Sequence, residues 1–285
     1  MNQIVMRLNI KNYLGFIICF IAIQVNAQTS WTGATNTKWR TSSNWTNGVP
    51  NSSKDAIIGD ANFTGSNQPY LDGNGSCQNL YIGTSTKVSS LSINRNLTVY
   101  GDVVIGSNGT ILANTNNRRI TLQGDWLNSG TYSAGSNTAQ VRFSGSSQAI
   151  TGVTAFRRLI VNSSSTITLG SNISVNNEII LNGTFNPSTY TVSGSGDIDV
   201  RATACFKSVC VNVQRNYSIS GSVSLNRASE VNYASAVTAQ TVSNAFSYGT
   251  LRISGGSTKS LTGNLPNLTS SGSSNGKVFI DAGNL

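Results

Sequence analysis

Few side chains in this sequence could carry out acid–base chemistry. It has no histidine and ten carboxylates in 285 residues, which excludes Ser-His-Asp triads and histidine metal sites. The best cluster is Asp197, Asp199 and Arg201, an i, i+2, i+4 set that would share one face of a strand. A glycosidase needs two carboxyl groups about 5–9 Å apart, and alternate strand positions satisfy that spacing. The preferred interpretation is an ion pair on a solvated face, so no catalytic residue is assigned.

Three of the four tryptophans lie within fifteen positions near the start of the chain: Trp31, Trp39 and Trp45. Their even spacing would let strands present them on one side, where exposed rings stack against sugars. The alternative is structural, because a stack of coils has an open hydrophobic end that large aromatics can cover. Their position directly before the first predicted coil favours the cap, and the sugar-binding platform stays as the alternative.

Other candidate ligands are sparse. Asp55, Asp60 and Asp72 would suit Ca²⁺ together with loop carbonyl groups, but no EF-hand loop or Gly-rich nonapeptide accompanies them. We therefore predict no cofactor and no metal, with Ca²⁺ as the alternative. Cys205 and Cys210 are close enough in sequence for a local disulfide in an oxidising compartment.

The first 27 residues have the features of a signal peptide. Arg7 and Lys11 form a basic region, an apolar run follows at Tyr13–Ile23, and small residues precede Gln28. We expect cleavage after Ala27 and a secreted or cell-surface location. The apolar run is shorter than the ~20 residues that span a bilayer, and no later stretch is long enough either, so the mature chain should have no transmembrane segment.

The composition indicates a polar surface with little charge. Charged residues make up 10% of the chain and the net charge is +9. The basic residues are scattered apart from the pairs Arg118-Arg119 and Arg157-Arg158. Nucleic-acid binding favours a clustered basic stripe, so we predict no nucleic-acid partner. Extracellular glycans or cell surfaces are the expected partners.

Beyond Ala56 the chain is a succession of short apolar-x-apolar strands followed by Gly, Asn or Ser. Five such strands begin at positions 80, 97, 120, 141 and 159, which are 17, 23, 21 and 18 residues apart. That spacing is about one coil of a β-solenoid, and it predicts about eleven to thirteen coils.

We therefore predict an all-β fold, a right-handed parallel β-solenoid, with β-sandwich repeats as the alternative. Residues 28–56 form a tryptophan-rich N-terminal cap, and residues 57–285 form the solenoid. Val141–Asn162 resembles Val231–Ser254 at an offset of 90 to 92 residues. This offset predicts an internal duplication of about 90 residues, over 141–230 and 231–285, with the second copy truncated.

The pattern resembles a known group of proteins. The segments "NWTNGVPNSSKDAII", "LTVYGDVVIGSNGTIL" and "ITLQGDWLNSGTYSAGSNTAQVRFSGSSQAITG" are similar to repeats of large exported surface proteins from bacteria with type IX secretion. Such adhesin-like or autotransporter-like β-helix proteins usually end in a C-terminal sorting domain. Nothing after Ser271 resembles that domain, and Lys277–Leu285 looks like the start of another coil. The resemblance therefore implies either further C-terminal domains in a longer chain or the absence of the sorting signal.

The expected function is that of a non-enzymatic, adhesin-like or structural protein at the cell surface. A carbohydrate-binding module using the three tryptophans is the first alternative. A polysaccharide lyase or hydrolase using Asp197, Asp199 and Arg201 is the second.

Overall fold

A computed structural model describes residues 27–113, 117–135, 138–208, 210, 213–265 and 276–281. The predicted signal peptide, apart from Ala27, lies outside the described residues. Within them the chain is nearly all β-strand, with one short 3₁₀ helix at Ser42–Asn44 and one α-helical turn, α1, at Val213–Asn216.

The described chain contains 27 strands, most of them three to five residues long. In chain order they are β1 Ala27–Ser30, β2 Lys54–Ile58, β3 Gly75–Cys77, β4 Leu80–Ile82, β5 Ser89–Ser92, β6 Leu97–Val99, β7 Val103–Ile105, β8 Gly109–Leu112, β9 Arg119–Leu122, β10 Trp126–Asn128, β11 Thr131–Ser133, β12 Gln140–Phe143, β13 Ser147–Thr151, β14 Thr154–Val161, β15 Thr166–Leu169, β16 Ile173–Leu181, β17 Thr184–Asn186, β18 Val192–Gly194, β19 Asp197–Val200, β20 Cys205–Ser208, β21 Tyr217–Ile219, β22 Val223–Leu225, β23 Glu230–Tyr233, β24 Gln240–Val242, β25 Thr250–Ile253, β26 Lys259–Leu261 and β27 Lys277–Ile280.

These strands stack into a parallel β-solenoid of about 9 turns. The largest sheet has twelve strands in the order β1-β2-β4-β7-β10-β13-β15-β17-β20-β23-β25-β27. A ten-stranded sheet runs from β3 to β21 and β22, and smaller sheets hold β5-β8-β11 and β24-β26. Successive coils visit the sheets in the same order, because β4, β5 and β6 lie beneath β7, β8 and β9. The predicted solenoid is confirmed, and the β-sandwich alternative is wrong.

The number of coils is smaller than the sequence predicts. Leu80 pairs with Val103 and Val103 with Trp126, so these coils are 23 residues long. The 17-residue step from Leu80 to Leu97 is not a coil at all, because β4 lies in the twelve-stranded sheet and β6 in the ten-stranded sheet. Longer coils, and a terminal layer before the first of them, leave room for about 9 turns.

The other three predicted spacings, of 23, 21 and 18 residues, match the register of the ten-stranded sheet. The inward side chains of this sheet form a continuous ladder. Its members are Leu97, Ile120, Val141, Leu159, Ile179 and Ile198, each the strand partner of the next. All six are buried in one hydrophobic cluster that extends from Trp31 to Ile253. A three-residue strand buries too little to be stable alone, so each coil depends on the ones above and below it.

An Asx ladder holds one corner of the first coils together. Asp55 Oδ1 accepts a hydrogen bond from the Asn79 N–H at 3.1 Å, and Asn79 Oδ1 accepts one from the Asp102 N–H at 2.8 Å. Asp102 and Asp125 repeat the contact, to the N–H groups of Asp125 and Ala149, at 2.7 Å each. Each side chain therefore satisfies a corner N–H one coil further along the axis.

The Asx ladder requires glycine directly before two of its members. A Cβ at Gly101 would lie 2.1 Å from Asn79 Oδ1, and a Cβ at Gly124 would lie 2.1 Å from Asp102 Oδ1. The Gly-Asp dipeptides at 101–102 and 124–125 are thus a sequence signature of this corner.

The segment before the first coil forms a terminal layer. β1 is the outermost described strand of the twelve-stranded sheet and pairs with β2. On another side of the coil, Lys38 forms a parallel bridge with Tyr70, and Tyr70 forms one with Ser92. Residues 31–50 therefore lie one level below the first coil and cover its core.

Candidate functional site

The three N-terminal tryptophans form a buried cluster in this terminal layer. Trp31, Trp39 and Trp45 are 0%, 0% and 4% exposed. Trp45 stands at the centre, edge-to-face with Trp31 at 5.1 Å and 78°, and with Trp39 at 4.8 Å and 73°. Such edge-to-face pairs are favourable beyond the area that they bury.

Hydrogen bonds fix two of these rings. The Trp31 indole N–H donates to the Asn67 carbonyl at 2.7 Å, and that of Trp45 donates to the Trp39 carbonyl at 2.7 Å. All three rings belong to the same hydrophobic cluster as the coils. Because sugar stacking needs an exposed ring face, the structure does not present them as a carbohydrate platform.

The acidic cluster lies on the outer face of β19. Asp199 forms a salt bridge with Arg201, at 2.9 Å between Oδ2 and Nε. Asp197 Oδ1 accepts hydrogen bonds from the Ser222 N–H at 2.7 Å and from its hydroxyl at 2.8 Å, and these bonds lower the pKa of Asp197. A general acid needs a raised pKa, so the environment of Asp197 is the opposite of the one that this role requires.

The structure adds an acid that sequence reasoning missed. Glu178 on β16 is the strand partner of Asp197 on the next coil, and Ile180 is the partner of Asp199. Glu178 also forms a salt bridge with Arg158 on the preceding coil. Cross-coil register brings these groups together, and no local sequence signal marks it.

Two parallel rows of side chains therefore cross the outer face of the ten-stranded sheet. One row is Gln140, Arg158, Glu178, Asp197, and the other is Arg142, Ile160, Ile180, Asp199. Ile160 and Ile180 are only 5% and 6% exposed, although they lie outside the main hydrophobic cluster. The face is thus basic toward the N-terminal coils and acidic toward the C-terminal ones.

The three aspartates considered for Ca²⁺ are kept apart by separate partners. Asp55 belongs to the Asx ladder, and Asp60 Oδ2 accepts the Ser30 hydroxyl proton at 2.6 Å. At Asp72, burial opposes ionisation, but hydrogen bonds and charge from Arg40 outweigh it and lower the pKa. In the described part of the chain, no three acidic or cysteine side chains group in a way that could hold a metal.

The predicted disulfide is wrong in this structure, where Cys77, Cys205 and Cys210 are all free thiols. Cys205 begins β20 and Cys210 lies beyond its end, and an extended strand advances about 3.3 Å per residue. The extended strand at the start of this segment works against the approach of two Cα atoms to within ~7 Å that a disulfide needs. Burial and the Glu230 carboxylate raise the pKa of Cys205 to about 12, so its thiol is unreactive.

A cavity of about 400 Å³ lies on the outer face of the twelve-stranded sheet near Cys205. Glu230, Thr250, Lys277 and Phe279 line it from three successive strands. Arg252 lies beside it and binds Glu230 at 2.9 Å between Nε and Oε2. The mixture of charged and hydroxyl groups suits a polar ligand rather than an apolar one.

Comparison with known proteins adds no relative: no protein-family model matches the chain, and no curated protein or solved structure matches it. Among the described residues, no helix has the length and apolar character needed to cross a membrane.

Proposed function

We propose that the protein is a secreted, non-enzymatic β-solenoid that acts at the cell surface as a structural or adhesin-like element. The observation that carries this proposal is the uninterrupted twelve-stranded parallel sheet, which runs the length of the described coils. A stack in which each coil is paired to the next is suited to projecting a surface over a distance.

The chemistry of the outer faces supports a non-enzymatic role. Asp199 is neutralised by Arg201, and Asp197 has a lowered pKa. A lyase or hydrolase centred on this cluster would need carboxyl groups with unlike protonation, one of them held as an acid. The tryptophan alternative is disfavoured because the rings are buried.

Localisation tests the surface role directly. Antibodies raised against the purified chain should label intact producing cells, and mild external protease should remove the label. A deletion strain should lose attachment to surfaces or neighbouring cells and regain it when the gene is restored. Label found only after cell lysis would contradict the proposal.

Enzymatic activity is tested separately with the purified chain. We expect no turnover of neutral or acidic polysaccharides. Turnover that disappears in Asp199→Asn, with Arg40→Gln as a control at a salt bridge elsewhere, would overturn the non-enzymatic part of the proposal.

A further inference from the structure

Four arginines gather on the N-terminal half of the ten-stranded sheet. Arg119, Arg142 and Arg158 lie on β9, β12 and β14, and Arg118 precedes β9. Gln140 on β12 is the strand partner of both Arg119 and Arg158, so the three strand arginines occupy successive coils. Ile120, Val141 and Leu159, which are adjacent to the three strand arginines, lie in the core, and this places those three arginines on the outer face. We call this group the arginine patch.

The charge of the arginine patch is poorly compensated. Within the described residues, the only salt bridge of these four side chains is the one between Arg158 and Glu178. Arg119 Nε donates to the Thr121 hydroxyl at 3.1 Å, and Arg142 has no hydrogen-bond or ion-pair partner among the residues that the structure describes. Burial lowers the pKa of Arg142, and the charge of Arg119 lowers it further.

Several buried N–H groups of these arginines also lack a hydrogen-bond partner. The described residues contain five buried side-chain polar atoms without a hydrogen-bond partner, and three of these are the Nε atoms of Arg118, Arg142 and Arg158. Half-buried cations that lack partners are destabilising, because they give up hydration without a compensating contact. An anion bound over the patch would supply the missing countercharge.

The spacing of the patch indicates the shape of that anion. Coils repeat at ~4.8 Å, so the three strand arginines follow one another coil by coil along the solenoid axis, with Arg142 displaced by two residues from the row of Arg119 and Arg158. This repeat is close to the length of one sugar unit in an extended polysaccharide. Phosphates of a nucleic-acid duplex rise ~3.4 Å per strand and wind away from a flat face, so few would meet the series. Thr121 and Gln140, which share the face, offer hydroxyl and amide groups to sugar hydroxyls.

We propose that the arginine patch binds a linear anionic polysaccharide whose carboxylate or sulfate groups meet Arg119, Arg142 and Arg158 on successive coils. This inference rests on the proposed surface role and names the chemistry of its partner. Asp197, at the far end of the same face, carries a negative charge with no salt bridge among the described residues and disfavours extension of the polymer over the C-terminal coils.

Titration of the full purified chain with defined polymers tests the inference. Polygalacturonate carries carboxylates, dextran sulfate carries sulfate esters, and neutral dextran carries no charge. We expect at least one anionic polymer to bind with an affinity that falls as salt rises, and dextran not to bind. The relative affinities of the two polyanions identify the preferred group. If neither polygalacturonate nor dextran sulfate binds, the inference is overturned.

Matched variants separate the patch from net charge. Arg142→Gln should weaken binding about tenfold. A double variant that combines Arg119→Gln and Arg142→Gln should weaken binding further. Lys87→Gln makes the same change of charge on an exposed side chain beside the three-stranded sheet, away from the patch, and should alter affinity less than about twofold. Equal loss in Lys87→Gln and Arg142→Gln would overturn the inference, because attraction to the overall charge would then explain binding.

Two further measurements complete the test. Without polymer, Arg142→Gln should melt at the same or a higher temperature, because it removes an unpaired cation; a lower melting temperature would assign Arg142 to the fold and overturn the inference. A single-stranded oligonucleotide that bound as tightly as the glycans, with the same loss in Arg142→Gln, would also overturn it. Surface labelling without glycan binding would refute this inference alone, and glycan binding without surface labelling would refute the proposed function alone.

Discussion

Gln148 and Gln240 lie 92 residues apart and make equivalent hydrogen bonds at a corner of the solenoid. Each side-chain oxygen accepts a backbone N–H from its own loop, and each side-chain nitrogen donates to two carbonyl groups of the preceding coil. The partners are Gly145, Leu122 and Gly124 for the first glutamine, and Ser235, Ser208 and Cys210 for the second. Both side chains are buried, at 2% and 1% exposure.

This equivalence bears on the duplication predicted at an offset of 90 to 92 residues. In both segments the glutamine lies on the middle strand of three, and the outer two strands pair with each other, Val141 with Leu159 and Val231 with Leu251. The sheets differ, because β12 lies in the ten-stranded sheet and β23 in the twelve-stranded one. The likeness is thus one of local coil geometry, and the ~90-residue extent of the duplication stays a prediction.

Gln148→Ala should reduce the free energy of unfolding by about 3 kcal/mol. The change leaves the Gly145 N–H and the Gly124 carbonyl without the amide that they bind, and each buried unsatisfied group costs about 1–3 kcal/mol. Gln123→Ala, on an exposed side chain, is the matched control and should cost less than about 0.5 kcal/mol. Denaturant unfolding measures both. If both variants lose the same free energy of unfolding, the hydrogen bonds of the Gln148 side chain do not stabilise the fold.

Gly124→Ala should destabilise the protein by about 2 kcal/mol. The new methyl group would meet Asp102 Oδ1 at 2.1 Å and the Gly101 carbonyl carbon at 2.4 Å, so the Asx ladder has to shift. At Gly263 the nearest atom is an Asn244 side-chain nitrogen at 3.1 Å, and Gly263→Ala should be nearly neutral. Thermal unfolding of the two variants provides the comparison, and a stable Gly124→Ala would refute the close approach.

Trp45→Ala should cost about 3–5 kcal/mol, because it removes the central ring of the cluster and leaves a large cavity. Tyr100→Ala removes an aromatic ring that is 41% exposed and should cost about 0.5 kcal/mol. Hydrogen exchange should show residues 31–50 losing protection first in Trp45→Ala. Lost glycan binding with unchanged stability would instead restore the sugar-platform hypothesis.

Alkaline pH should unfold the protein through its buried tyrosines. Burial raises the pKa of both Tyr233 and Tyr248, whose hydroxyl groups lie 3.0 Å apart. A raised folded pKa means that the folded state holds the proton more tightly than the unfolded state, where the pKa is about 10. Their contribution to stability is therefore complete below pH ~10 and is lost as the pH rises further.

The measurement is the free energy of unfolding between pH 8 and pH 11.5. Each buried tyrosine adds a slope of about −1.4 kcal/mol per pH unit above pH ~10. Tyr248→Phe removes one ionising group, so its curve should start lower, because a hydrogen bond to the Ser243 carbonyl is lost, and fall less steeply. An unchanged slope would contradict this assignment.

The strands are predictable from the sequence, but the sheet to which each belongs is not. An apolar-x-apolar triplet followed by glycine suits any side of a coil, since all sides bury alternate residues against the same core. Leu80 and Leu97 open such triplets and lie in different sheets, whereas Leu97 and Ile120 are strand partners. Only the corners distinguish the sides, and their lengths vary.

Buried polar groups are the second limit of sequence reasoning. Lys259 is 1% exposed, and its ammonium group donates to the carbonyls of Ser235 and Ser257 at 3.0 and 2.9 Å. In sequence it looks like any surface lysine, because lysine is rarely buried. The arginine patch is hidden in the same way, since its members come from three coils and meet only through cross-coil register.

The unequal number of sheets along the axis has a mechanical consequence. Through most of the described solenoid, neighbouring coils are joined by both the twelve-stranded and the ten-stranded sheets, whereas the strands described from β23 to β25 are joined to their neighbours by the twelve-stranded sheet and the short β24-β26 pair alone. Under tension along the axis, the hydrogen bonds of one level bear the load together, so a level with fewer bonds ruptures sooner. Among the described coils, those from β23 to β25 are therefore expected to extend before the coils that carry the arginine patch.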